Sequence, residues 1–243
     1  MVDAKSHYES LLAEHYSWMF GDFADKVAEQ EALLRSLGVN APGVAVDLGC
    51  GSGFQSIALA HLGATTVHAI DFSKTLLAEL RGHADGLPIR THHADILDFS
   101  KLVSVPADTI ICMGDTLTHL TGLDDVLHLL GLAARALQPG GQIVLSWRDL
   151  SNPPHGPDRF IPLRQSEDRI MTCFLEDMGD TVRVHDIVHS RVQTDWTMSV
   201  SAYPKLKLSP AWIDGCLADA GFTITARDTV RGMTAMRATL ERT

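Results

Sequence analysis

The chain has 243 residues, 45% of them hydrophobic and 21% charged, with 19 glycines and 10 prolines. This suits one elaborated α/β domain better than two and excludes collagen-like, low-complexity and disordered classes. The formal charge of −10 argues against nucleic acid or anionic lipid as partner, and no run approaches the roughly 20 apolar residues of a membrane helix. The N-terminus lacks the basic start and apolar core of a secretory signal, so a soluble, cytoplasmic protein is expected. Cys50, Cys112, Cys173 and Cys216 never form C-x-x-C and read as reduced, buried thiols. The 12 histidines show no metal-ligand spacing, and His92 and His93 are strand neighbours whose side chains diverge, so no metal site is expected.

In chain order, residues 3–37 read as one or two helices, with Gly21-Asp22 between a Tyr/Trp/Phe-rich first part and an acidic second part. Val44 to Leu48 is a short apolar run ending in glycines, as a buried parallel strand would be. Phe54 to Leu62 follows as a helix, then a strand over Thr66–Ile70, a helix capped by Ser73 and running to Arg81, and a third strand over Ile89–His92. Thr109 to Met113 is a fourth strand. Thr121 with Asp124 resembles a capping box opening a helix that runs to Leu137. Gln138-Pro139-Gly140-Gly141 stops that helix, and Gln142 to Trp147 is the fifth strand. Strands alternating with helices in this way imply right-handed crossovers and a parallel sheet. Residues 151–165 are Pro-rich and polar and are expected to cross the surface. Three antiparallel runs follow at Arg169–Leu175, Thr181–Val192 and Thr194–Tyr203, the first two joined by a turn over Glu176–Asp180. Ser209-Pro210 marks a helix start and Gly221 its end. Phe222–Ala226 and Met233–Leu240 complete the sheet as a hairpin. The expected architecture is a doubly wound, mostly parallel, Rossmann-like seven-stranded sheet with helices on both faces, an N-terminal helical lid (1–37), a main domain (38–243) and an inserted antiparallel β segment (151–208) covering the substrate.

Chemistry concentrates in Asp47-Leu48-Gly49-Cys50-Gly51-Ser52-Gly53, which follows a strand and precedes a helix. Glycines let such a loop turn sharply and approach a ligand. The dinucleotide fingerprint would need glycine at position 54, where Phe54 stands. Asp47 would repel a pyrophosphate yet suit a ligand carrying an ammonium and a sulfonium, which describes S-adenosylmethionine (SAM). Asp71, with Phe72 after it, ends the second strand, where an acid can accept ribose hydroxyls. Asp95 and Ile96 follow the third strand, where an acid could meet the adenine amino group.

With Leu-Gln-Pro-Gly-Gly before the fifth strand, this set resembles the class I SAM-dependent methyltransferases over residues 44–148. The closer resemblance is to the glycine N-methyltransferase-like, small-molecule branch, carried by Tyr16-Ser17-Trp18-Met19-Phe20-Gly21-Asp22, by Met113-Gly114-Asp115-Thr116-Leu117-Thr118-His119, and by Ser146-Trp147-Arg148-Asp149. The resemblance implies that Tyr16 covers the cofactor, aided by Trp18 and Tyr8, that Lys26 clamps its carboxylate, and that Met113 and His119 line its site beside Gly49 and Gly51. Asp115 stands where the branch has an asparagine facing the substrate; its extra negative charge favours a cationic amine over glycine itself. Asp115 or His119 could take a proton from the acceptor, Arg148 could hold an acceptor carboxylate, and Tyr203 is a further acceptor-side candidate. Simpler readings stand beside these: the aromatic cluster as helix packing, and Arg148 as an ion-pair partner of Asp149. The function expected is N-methylation of a small amine or amino-acid-like acceptor by in-line transfer. O-methylation of a carboxylate or hydroxyl compound and a non-catalytic SAM-binding protein are the alternatives; nicotinamide chemistry is disfavoured by Asp47 and Phe54. A homo-oligomer stays open.

Overall fold

A computed structural model describes residues 7, 11, 12 and 14–241. Helices α1 (Tyr16–Phe20) and α2 (Phe23–Ser36) meet at Gly21, which takes φ 95°, and Asp22 caps α2 by accepting the Asp25 N–H at 3.0 Å. Strands and helices then alternate: β1 (Val44–Leu48), α3 (Phe54–His61), β2 (Thr66–Asp71), α4 (Lys74–His83), β3 (Ile89–His93), α5 (Phe99–Leu102), β4 (Ala107–Cys112), α6 (Leu123–Ala136) and β5 (Leu137–Trp147). After β5 come β6 (Phe160–Gln165), β7 (Arg169–Asp177), β8 (Thr181–Val192) and β9 (Asp195–Leu206), then α7 (Pro210–Asp219) and the hairpin β10 (Phe222–Val230) with β11 (Met233–Leu240). Tight 3-10 turns occupy Ile96–Asp98, Thr116–His119 and Gly156–Arg159.

The main sheet has seven strands in the order β10-β11-β5-β4-β1-β2-β3, with β11 antiparallel to both of its neighbours and the other pairings parallel. Alternation along the central strands feeds two cores. Val46, Leu48, Ile110 and Cys112 enter one with the buried stripe Val126, Leu129, Leu130 and Ala133 of α6; Ala45 and Ile111 enter the other with α3. Such strands must be apolar almost throughout, which is why β1 reads as a hydrophobic run broken only by Asp47. The strand order reverses between β1 and β4, so their carboxyl ends open a crevice at the switch point.

The structure alters several expectations. Residues 151–165 do more than cross the surface: β6 pairs with β7, making the inserted sheet four-stranded in the order β6-β7-β8-β9. Its exposed side chains and Pro162 hid the strand, and proline is tolerated on such an edge. The Thr121–Asp124 capping box does not form; Gly122 is the N-cap of α6, and the Thr121 hydroxyl donates to Asp125 instead. Residues Gln138–Gly141 lie inside β5, where an irregularity against β4 absorbs the glycines. Ser73 and Ser209 do cap α4 and α7, accepting the N–H groups of Leu76 and Trp212. Within 1–37, Val27, Leu34 and Leu37 are buried among the α3 side chains, so α2 is part of the packed body. Among the described residues no helix is long and apolar enough to cross a membrane.

Candidate active site

The loop between β1 and α3 turns through Gly49 (φ 75°), Gly51 (φ 53°) and Gly53 (φ 97°), a conformation that disfavours other residues. A Cβ on Gly49 would collide with Thr116, and one on Gly51 would sit 3.1 Å from the Tyr16 hydroxyl. The loop is drawn to β2 by the Gly49 and Cys50 N–H groups, which donate to the Ile70 carbonyl at 2.9 and 3.1 Å. Asp71 continues that seam. Its carboxylate accepts the Gly51 N–H at 2.9 Å and the Ser73 N–H at 2.7 Å. Burial raises its pKa while those two amides oppose the rise.

Asp47 is only 2% exposed. It accepts a 2.6 Å hydrogen bond from Ser56, and burial, reinforced by the neighbouring charge of Asp71, pushes its pKa up to about 7. Among the described residues it has no ion-pair partner, so a buried carboxylate faces no protein cation.

Tyr16 lies over this loop, its ring 6.4 Å from Phe54 and 4.8 Å from Phe20. Burial and the nearby Asp71 keep its phenol protonated. Ser17 donates to Glu79 of α4, fastening α1 beside the loop. Trp18 departs from its expected place: its ring meets the guanidinium groups of Arg169 at 5.0 Å and Arg164 at 5.8 Å, and it packs near Met171 and Val188 of the inserted sheet. Tyr16 packs against both this cluster and the core beneath the glycine loop, whereas Trp18 joins only the cluster on the inserted sheet. Tyr8 lies outside the described residues.

Asp95 is exposed and caps the following turn through the Leu97 N–H, at 2.9 Å, while Ile96 is buried. The Phe72 carbonyl meets His93 Nε2 at 2.9 Å, whereas His92 turns to His68. Met113 is buried near Cys50 and Phe54. Lys26 is paired with Glu29 at 2.7 Å, and Glu29 is also held by Arg231 of the β10–β11 turn. Both cations border a cavity of 460 Å³ between α2 and the β10–β11 hairpin, which reaches Tyr16, Phe54, Gly114 and Ser146.

A second cluster forms where the ends of β4 and β5 meet β9. Asp115, at φ 73°, accepts the Arg148 N–H at 2.6 Å on one oxygen and pairs with the Lys205 ammonium at 2.8 Å on the other. Burial alone would raise the Asp115 pKa, but Lys205 holds it down at about 2. His119 is stacked on Tyr203 at 5.2 Å, and burial together with Lys205 lowers its pKa to about 3. Tyr203 in turn contacts the ring of His7 at 4.2 Å, and His7 hydrogen-bonds Asp186 at 2.9 Å and Ser201 at 2.7 Å.

This corrects the sequence reading of Asp115 and His119. The acid is a neutralised partner rather than an additional negative charge, and neither group is a ready proton acceptor at neutral pH. Sequence reasoning missed Lys205, His7 and Asp186. Lys205 follows Tyr203 by two positions and therefore shares its strand face; that spacing was the one signal available. The alternative pairing of Arg148 with Asp149 is not formed. Among the described residues Arg148 makes no ion pair, and its Nη1 lies 3.3 Å from where a Cβ on Gly232 would stand. The two clusters adjoin through Thr116, which packs on Gly49 and donates to the Met113 carbonyl at 2.9 Å.

Residues 45–141 match the family model described as a methyltransferase domain. Two solved structures share the fold over nearly the whole chain. The CcbJ methyltransferase from Streptomyces caelestis superposes with a TM-score of 0.78 at 19% identity, covering 98% of this chain and 99% of that one. The SAM-bound amino pentose methyltransferase CalS10 from Micromonospora echinaspora does so with a TM-score of 0.72 at 19% identity, covering 96% and 97%. Glycine/sarcosine N-methyltransferase from Halorhodospira halochloris is 32% identical over 106 residues, 43% of this chain and 39% of that protein. Further relatives are named for methylation of ribosomal protein L11 and of ribosomal RNA, and the matches to these curated proteins span 32 to 41% of their length. The chain thus carries a methyltransferase domain over residues 45–141 and shares its overall fold with a methyltransferase solved with SAM bound. The site suits that cofactor: the glycine cradle leaves no room for a Cβ, and Asp47 is a buried acid with no protein cation.

Proposed function

We propose that this protein transfers a methyl group from SAM to the nitrogen of a small amine or amino-acid-like acceptor. The observation that carries the reading is Asp71, a carboxylate at the carboxyl end of β2 that grips the glycine loop and the start of α4 through two backbone amides. That places an acid at the crevice edge, where ribose hydroxyls are recognised in doubly wound sheets. Gly49, Gly51 and Asp47 would hold the methionyl part, Tyr16 would cover the adenosyl group, and Lys26 would take the carboxylate in exchange for Glu29. When bound, SAM supplies a methyl on a sulfonium sulfur, which an acceptor lone pair displaces in line, the C–S bond breaking as the new bond forms.

The protein contributes alignment and exclusion of water, which suffice for much of such a barrier. Arg148, with no acid beside it, would grip an acceptor carboxylate through two parallel hydrogen bonds. Because Asp115 is ion-paired and His119 is held neutral, an acceptor ammonium gives its proton to water, and the rate should rise with pH along the acceptor's own titration. The inserted sheet and α1 would cover the acceptor. The amine reading is supported by the names of the glycine/sarcosine and amino pentose methyltransferases. The test is release of S-adenosylhomocysteine from SAM over a panel of amines, amino acids and small carboxylic acids. Turnover confined to carboxylic acids without an amine would replace N- by O-methylation, and SAM binding without turnover would make the protein a non-catalytic binder.

A further inference from the structure

The inserted sheet is apolar on both faces. One face, with Met171, Cys173, Leu175, Val184 and Tyr203, is buried toward α1 and the crevice. An antiparallel sheet with one face on a core commonly turns polar residues to the other. Here Phe160, Ile170, Trp196, Met198 and Val200 stand on the outer face, between 39% and 63% exposed. The register sets them in rows. Met198 lies opposite His189 and through it Ile170; Val200 lies opposite Ile187, then Thr172 and Pro162; Ala202 lies opposite His185, then Phe174 and Phe160.

No Lys, Arg, Asp or Glu belongs to these three rows; Arg159 of the preceding turn leans over Phe174 at the margin, 4.9 Å from its ring centre. Permanent charges stand at the two ends, in a regular order. Of the two central strands, β8 carries Arg191 at one end and Arg183 at the other, and β7 carries Glu176 opposite Arg183, with Asp168 bonded to Arg191 through the backbone. An apolar centre with a charged, balanced rim is the anatomy of a protein interface. Taking about 150–250 Å² for a whole large side chain, the five exposed residues alone leave roughly 500 Å² open, at the upper end of what a monomer shows. Two copies of that patch with their rims reach the roughly 1,200–2,000 Å² of a stable interface.

We propose that this outer face docks a second copy of the chain, giving a homodimer whose inserted sheets stack face to face. The order of the charges selects a copy over other apolar partners. A two-fold axis running along the strands between β7 and β8 exchanges those strands, so Arg191 meets the partner's Asp168 and Arg183 meets the partner's Glu176. The same operation lays Val200 against the partner's Pro162 and Ala202 against the partner's Phe160. Strand directions are preserved, as aligned sheet packing requires, and the contact is isologous. Because the crevice lies on the other side of the sheet, it stays open in the dimer, and the proposal stands apart from the methyltransferase reading.

Sedimentation velocity on the full chain tests this. Wild type should show twice the 26.4 kDa of one chain at about 10 μM, since interfaces of this size hold at micromolar concentration or below. Met198→Asp places a charge in the patch and should weaken association at least about tenfold. Arg191→Asp sets two acids opposite each other and should do the same, while Arg191→Asp/Asp168→Arg should restore dimerisation. Leu127→Asp, on the exposed side of α6 at 46% exposure, should dimerise like wild type. If Met198→Asp does not fold, oxidation of Met198 by peroxide in wild type decides: it should be slower at dimer-forming than at dilute concentration. Wild type that stays monomeric at about 10 μM overturns the proposal and leaves the face to a different protein. Unchanged association in Met198→Asp, loss of association in Leu127→Asp, no recovery in the charge exchange, or Met198 oxidation independent of concentration overturns it as well.

Discussion

Asp47→Asn separates the cost of a buried acid from its use. The carboxyl titrates near 4 in an unfolded chain but at about 7 in the folded protein, chiefly through burial. Between those values the folded state binds more protons than the unfolded state, so stability falls as pH rises from about 4 to about 7 and then levels. The fall is at most about 1.4 kcal/mol per pH unit. Asparagine keeps the volume and can still hydrogen-bond Ser56, but cannot ionise. The ligand-free variant should therefore be more stable than wild type by roughly 4 kcal/mol at pH 8, and the two should converge below about pH 4. Urea unfolding at both pH values measures this. Parallel pH profiles for the two proteins would refute the reasoning, because Asp47 would then carry no folding penalty. The same substitution should weaken SAM more than S-adenosylhomocysteine, since only SAM has the sulfonium charge; equal losses would confine Asp47 to the ammonium or the loop. In wild type, SAM affinity should drop as pH falls below about 7, because binding must then expel a proton from Asp47.

Asp71→Ala removes the acceptor of two backbone amides and, on the proposed reading, of the ribose hydroxyls; charge-assisted bonds of roughly 1.5–3 kcal/mol predict at least a tenfold weaker SAM complex by calorimetry, with the fold retained. Arg148→Lys keeps the charge and loses the two-pronged grip, so KM for a carboxylate acceptor should rise while SAM affinity stays nearly constant; joint loss of thermal stability and activity would make Arg148 structural. Leu34→Ala should cost roughly 2–4 kcal/mol in urea unfolding, as buried leucines do, because α2 packs into the core. Hydrogen exchange should slow on SAM addition across residues 14–20 and change little in α2; uniform protection without ligand would remove α1 from the cofactor's cover.

The sheet was legible because its signals are local. A strand buried on both faces must be apolar along nearly its whole length, and Val44–Leu48 and Ile110–Cys112 show this, Asp47 apart, without any partner being known. Glycine at 49, 51 and 53 states a backbone requirement in the sequence itself, and the observed positive φ angles meet it. Serines at 73 and 209 announce helix starts because capping acts within three residues. The β6 strand carried no such signal: at an exposed sheet edge its side chains need not alternate, and only pairing with β7 makes it a strand.

The chemistry divides in the same way. That Asp47 and Asp71 belong together follows from order along alternating strands, since each ends a strand at the same sheet edge. That Trp18 packs on the inserted sheet could be read only from how α1 docks. The state of Asp115 required folding most of all. Its partner Lys205 stands 90 residues away, on a strand from the other sheet. A charge's meaning depends on what lies within a few ångströms, and along the chain that neighbour leaves no periodic trace. The sequence by itself therefore determined the proposed cofactor-binding edge, where each group is specified by its own loop or strand end. Tertiary structure alone decided the cluster where the β4 and β5 ends meet the inserted sheet, where charges from distant elements meet and cancel.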